Sequence, residues 1–127
     1  MTVRLTEIVV DCADPQALAQ FWCAVLGWVV TEAEADVVEV RPEGTDARTS
    51  IVPSLLFIRV PEAKTGKNRL HLDVNTFDSD QGAELERLLG LGATPVDVGQ
   101  GEQRWHVLAD PEGNEFCLLR SVVDPAG

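Results

Sequence analysis

The sequence predicts one α+β domain made of two β-α-β-β-β modules that share a single structure. Three observations predict it. Strand-like and helix-like periodicities follow one another in the same order twice along the chain. The landmarks of the first helix reappear in the second half at a nearly constant offset. Each half, at roughly 60 residues, is too short to bury a sheet of its own.

Residues 3–10 alternate as a strand. At Asp14-Pro15 the period turns helical, with Leu18, Phe21, Trp22, Val25 and Leu26 on one stripe, which predicts a helix over 15–26 and assigns Trp22 to the core. Asp14 suits the orphan N–H groups at the helix start, Pro15 its first position and Gly27 a left-handed stop. Strands are predicted at 28–31, 36–41 and 51–60, the acidic stretch Thr31-Glu-Ala-Glu-Ala-Asp36 reading as a solvated turn and 41–50 as a loop. Polar residues 61–68 read as a linker between module one, 1–60, and module two, 69–123. Module two repeats the order: a strand at 69–75, a helix at 79–90, and strands at 96–98, 104–109 and 115–122, with Asp110-Pro-Glu-Gly-Asn114 as the last turn.

The offsets make the repeat concrete. Asp14 falls on Asp78, 64 residues on, and Gly27 on Gly92, 65 on, while Leu55-Leu-Phe-Ile-Arg59 matches Phe116-Cys-Leu-Leu-Arg120 at 61. Strand parity then sorts the side chains. Ile8 and Val10, Leu70, Leu72 and Val74, and Phe116 and Leu118 form the apolar parity that should face helices. Glu7, Val9 and Asp11, then Arg69, His71, Asp73 and Asn75, then Glu115, Cys117 and Leu119 face either solvent or a shared concavity.

Composition excludes several function classes. The 127 residues are 45% hydrophobic and 24% charged, as in globular proteins rather than disordered or membrane chains. Ten Lys and Arg against 21 Asp and Glu give a net charge of −11 with no basic patch, so nucleic acid and anionic membranes are not expected partners. No apolar run reaches the ~18 residues of a membrane span, and the start has no signal-like segment, which predicts a cytoplasmic protein. Cys12, Cys23 and Cys117 are odd in number and lack CxxC spacing, so free thiols are expected rather than disulfides or a cysteine zinc knuckle. A Gly-x-Ser-x-Gly elbow, a phosphate loop and a dinucleotide fingerprint are all missing. His71 stands out chemically, because a neutral imidazole on the mixed face serves as metal ligand, general base or hydrogen-bonding cavity wall.

Four segments carry a resemblance across nearly the whole chain: Val10-Asp-Cys-Ala-Asp-Pro15, Phe21-Trp-Cys-Ala-Val-Leu-Gly27, Gly66-Lys-Asn-Arg-Leu-His-Leu-Asp73 and Val107-Leu-Ala-Asp-Pro-Glu-Gly-Asn-Glu-Phe-Cys117. In this order and spacing they resemble the vicinal oxygen chelate superfamily of glyoxalase I, bleomycin-resistance proteins and extradiol dioxygenases, and most of all its glyoxalase-like domain branch. The resemblance implies paired modules forming a cupped sheet around a cavity, with a divalent metal held by residues of the first and last strand of each module. It places those positions on Glu7, Leu56, His71 and Cys117. Glu7, His71 and Cys117 are competent donors for zinc, nickel, manganese or iron, whereas Leu56 has no donor atom. Glu115, two residues before Cys117, supplies a carboxylate if the register shifts.

By the same resemblance His71 and Glu7 are the candidate catalytic groups, and Trp105, Trp28, Arg69, Leu56 and Glu115 the candidate substrate contacts. Aromatic walls suit a flat, partly apolar ligand, although parity alone leaves open whether Trp105 or His106 faces inward. Arg69 offers either a charge-assisted bond to an anion or an ion pair to a carboxylate. Two functions follow: a metal-dependent lyase or isomerase acting on a small oxygenated substrate, or a metal-free protein that sequesters an aromatic or antibiotic-like compound. Either takes a small-molecule partner, and family members often pair as homodimers.

Overall fold

The computed structural model describes residues 2–77, 79–96 and 105–123. They fall into two compact units, 1–63 and 64–127. Unit one contains β1 (Glu7–Cys12), α1 (Pro15–Leu26), β2 (Val29–Ala33), β3 (Val37–Arg41) and β4 (Ser54–Arg59). Its sheet runs β1-β4-β3-β2, with β1 and β4 parallel and the other pairs antiparallel. A parallel pair cannot be joined by a tight turn, and here α1 and the β2–β3 hairpin make the crossover.

Helix α1 has the predicted bounds and caps. Asp14 accepts the Ala17 N–H at 3.2 Å, and Gly27, at φ 70°, ends the helix with its N–H on the Cys23 carbonyl at 2.8 Å. The helix buries Leu18, Phe21 and Trp22, whose rings meet edge to face at 5.4 Å, while β3 and β4 bury Val38, Val40, Leu55 and Phe57. Burial alternates along β1 as parity requires: Ile8, Val10 and Cys12 are covered and Glu7, Val9 and Asp11 are open.

On the parity opposite Val38 and Val40, β3 carries a buried ion pair. Arg41 donates to Glu39 from Nε at 2.9 Å and Nη2 at 3.2 Å, and the Thr31 hydroxyl adds a third bond at 2.7 Å. The Arg41 bond leads in holding the Glu39 carboxyl below the usual range, against the opposing effect of burial.

Unit two contains β5 (Leu72–Val74), α2 (Gln81–Leu91), β6 (Thr94–Pro95), β7 (His106–Ala109) and β8 (Glu115–Leu118), in the sheet order β5-β8-β7-β6 with β5 and β8 parallel. Phe116 and Leu118 are buried, as is Leu88 of α2, and Gln81 donates to the Leu118 carbonyl at 3.3 Å. The β7–β8 turn is the predicted Asp110–Asn114 segment. Buried Asp110 accepts from the N–H groups of Glu112 and Asn114 at 2.9 and 3.0 Å, and Gly113 takes φ 86°.

Several boundaries differ from expectation. The strand predicted over 69–75 is only 72–74, because β8 begins at Glu115 and its parallel register gives Arg69 and Leu70 nothing to pair with; Leu70 is exposed. Helix α2 starts at Gln81 under Asp80, which accepts the Ala83 N–H at 2.8 Å. The last strand ends at Leu118 rather than 122. β2 extends to Ala33 into the stretch read as a turn, and β3 and β4 are one to three residues shorter at their starts than predicted. Residues 97, 98 and 104 of the predicted strands lie outside the described residues; β6 occupies 94–95.

Candidate functional site

The parallel ladder of unit two sets the site. Leu72 pairs with Phe116 and Val74 with Leu118, which turns those side chains to the buried face and leaves Asp73 opposite Cys117 on the other. His71, just before the strand, shares the parity of Asp73, and its Nε2 lies 3.1 Å from Asp73 Oδ1. One ligand atom from each of His71, Asp73 and Cys117 falls within 4.8 Å of the others. Burial is the leading cause that pushes the Cys117 thiol up, followed by the nearby Asp73 carboxylate, which also hydrogen-bonds it; the Lys67 ammonium acts the other way.

These groups lie in the wall of a cavity of about 440 Å³ lined by Lys67, His71, Asp73, Trp105, Val107, Glu115, Cys117 and Leu119. Pairing of His106 with Leu118 and of Val107 with Cys117 settles the phase of β7. Trp105 and Val107 therefore face the cavity and His106 turns to the other side.

Glu115 forms the floor of a second polar cluster. Its carboxylate is 8% exposed and accepts from the Lys64 ammonium at 2.6 Å and the Asn68 backbone N–H at 2.8 Å. Burial works against its ionisation, yet those two donors together bring its carboxyl below the usual range. Residues 64–68, part of the stretch 61–68 read as a linker, are thus tied to the cavity wall through Lys64 and Asn68.

The four positions that the resemblance implies recur in register. Val9 stands opposite Leu56 in unit one as Asp73 stands opposite Cys117 in unit two, so Glu7 corresponds to His71. Of the expected residues, His71, Cys117, Trp105 and Glu115 line one cavity. Glu7, exposed at the start of β1, Leu56, half-buried in β4, and Trp28, half-buried after α1, belong to unit one. Arg69 is exposed and is not among the lining residues. Sequence reasoning missed Asp73 and Lys67 as site residues. Parity had already put Asp73 beside His71, but the resemblance drew attention to one residue per strand; Lys67 sits in a loop, where no periodicity points.

Nitrogen, oxygen and sulfur donors gathered within 4.8 Å are of the types that bind a tetrahedral ion at ~2.0–2.3 Å, and three such ligands would leave a fourth position open. A thiol beside an imidazole and a carboxylate favours zinc over harder ions. The residues fit.

Residues 7–119 match the model of a family described as "Glyoxalase-like domain". No curated protein sequence matches the chain significantly. Among solved structures, the chain is similar to a glyoxalase/bleomycin resistance protein/dioxygenase family enzyme from Burkholderia phytofirmans, at 17% identity and TM-score 0.67 over 91% of this chain and 97% of that one. It is similar to the fosfomycin resistance protein FosX from Mesorhizobium loti, at 15% identity and TM-score 0.69 over 97% and 96%. A mutant FosX from Listeria monocytogenes, complexed with Mn(II) and 1S,2S-dihydroxypropylphosphonic acid, matches at 14% identity and TM-score 0.68 over 97% and 93%. At these identities the likeness is one of fold.

Proposed function

The chain belongs to the glyoxalase-like domain family, and on that premise we propose that it is a metal-dependent lyase or isomerase acting on a small oxygenated substrate in the cavity of unit two. The observation that carries this reading is the convergence of His71, Asp73 and Cys117 within 4.8 Å on the wall of that cavity. When bound, a divalent cation supplies a Lewis acid that polarises a substrate oxygen. His71, Asp73 and Cys117 would hold it, with His71 Nε2 3.1 Å from Asp73 Oδ1. Trp105, Val107 and Leu119 line the same cavity and would give the substrate an apolar wall. Glu115, committed to Lys64 and Asn68, is a wall and loop anchor rather than a base. The FosX relative is a complex with Mn(II); here the thiol favours zinc.

A second reading is metal-free sequestration of a small apolar compound. It is favoured by the apolar wall and by Val9 and Leu56, which leave the corresponding pair in unit one without donors. One measurement separates the two: metal content by elemental mass spectrometry of protein purified without chelator, beside His71→Ala, Asp73→Ala and Glu7→Gln. Near-stoichiometric metal that is lost in His71→Ala and Asp73→Ala is the expected result. Metal loss in Glu7→Gln as well would add that family position to the ligand set. No metal in the unaltered protein, or metal indifferent to His71 and Asp73, overturns the enzyme reading.

A further inference from the structure

We infer that Lys67 is the anion-binding residue of this cavity, and that the ligand is a small molecule carrying a carboxylate or similar oxyanion on a flat apolar body. The inference rests on the cavity being the ligand site, and adds the chemical class of what enters it; it does not require the metal.

A chain of net charge −11 repels anions in general, so an anionic ligand needs a local cation. Sorting the charged groups of the cavity by partner isolates one. Glu115 is held by Lys64 at 2.6 Å and by the Asn68 N–H at 2.8 Å. Asp73 faces His71 at 3.1 Å. The Lys67 ammonium makes only a long bond, 3.5 Å, to the carbonyl of adjacent Asn68. Among the described residues no carboxylate stands within ion-pair distance of it.

The loop that carries Lys67 is also fixed in place. Glu115 grips it on both sides, through Lys64 three residues before and Asn68 one after, so the ammonium is presented to the cavity by a pinned backbone. Such preorganisation lowers the ordering cost of binding. The remaining lining, Trp105, Val107 and Leu119, is apolar, and Trp105 is 39% exposed, which leaves it open to stacking. A volume of about 440 Å³ suits a ligand of one ring and a short acidic arm.

The test uses the full chain with phenylacetate and its uncharged analogue phenylacetamide as probes, titrated by isothermal calorimetry after chelation and again with zinc. Lys67→Gln, Lys67→Arg and Arg69→Gln are measured alongside. The expected result is that chelated protein prefers phenylacetate by about tenfold, the lower end for a charge-assisted bond. Lys67→Gln should abolish that preference, while Lys67→Arg and Arg69→Gln keep it. Equal binding of the two probes, binding of neither at millimolar concentration, or a preference that survives Lys67→Gln overturns the inference. A preference that appears only with zinc and disappears in His71→Ala assigns the anion to the cation, which overturns the role of Lys67 while supporting the metal reading. Metal content of Lys67→Gln should match that of the unaltered chain.

Discussion

Replacing Glu115 by glutamine tests how the cavity wall is held. The side chain keeps its volume and one carbonyl oxygen for the Asn68 N–H, but loses the charge that faces Lys64 at 2.6 Å. Hydrogen bonds to charged groups contribute about 1.5–3 kcal/mol each. Glu115 is 8% exposed, while the Lys64 side chain, at 28%, retains some solvent screening, so the lower half of that range applies. The expected loss is about 2 kcal/mol, read from urea titrations of the two proteins at neutral pH.

The pH dependence carries the sign. The folded Glu115 carboxyl lies below its ordinary value, so its contribution is complete above the unfolded value and disappears as pH falls through the folded one. The gap between the unaltered protein and Glu115→Gln should therefore close in acid, below the ordinary glutamate value of about 4.3. A loss under about 0.5 kcal/mol at neutral pH would refute the claim that this ion pair anchors the 64–68 loop. So would a gap that persists unchanged in acid, because it would then arise from shape rather than charge.

Other expectations follow the same logic. Glu39→Ala should cost about 3–5 kcal/mol by stranding a buried guanidinium, while Glu39→Leu combined with Arg41→Met should return near the starting stability; a double-mutant cycle in urea checks both. In the unaltered protein the Glu39 contribution should be present at neutral pH and lost in acid, since its folded carboxyl is also lowered. Asp80→Ala should cost about 1 kcal/mol as the loss of a helix cap, measured by thermal melting. Gly27→Ala should cost about 1 kcal/mol from its left-handed φ of 70° alone, because nothing lies within 4 Å of an added methyl group.

How much of this was legible in the sequence depended on whether the signal was local. Helix α1 was, because its stripe, Asp14, Pro15 and Gly27 all act within one element. The glyoxalase-like fold was, through four segments in order. Strand β5 was overextended because the alternation Arg69-Leu70-His71 continues past the point where β8 offers a partner, and register is a property of two strands. The same reason left Trp105 and His106 unresolved until the β7–β8 pairing fixed the phase. Module two caps its helix with Asp80, 66 residues after Asp14, while Asp78, named by the 64-residue offset, lies outside the described residues; the closing glycines keep an offset of 65. In the candidate site, His71 and Cys117 come from matched positions, whereas Asp73, Lys64 and Lys67 are placed by what stands near them in space.

The two parallel ladders differ in length, and the difference has a thermodynamic edge. β1 and β4 share six paired positions, whereas β5 and β8 share three, the very strands that bring Asp73 to Cys117. A cation held there would be a reversible staple across the shorter seam. Mass action would add its binding energy to the stability of unit two, in proportion to the logarithm of free metal. A chelator would then act as a mild denaturant aimed at one seam, and the melting temperature of the protein would become a meter of metal supply.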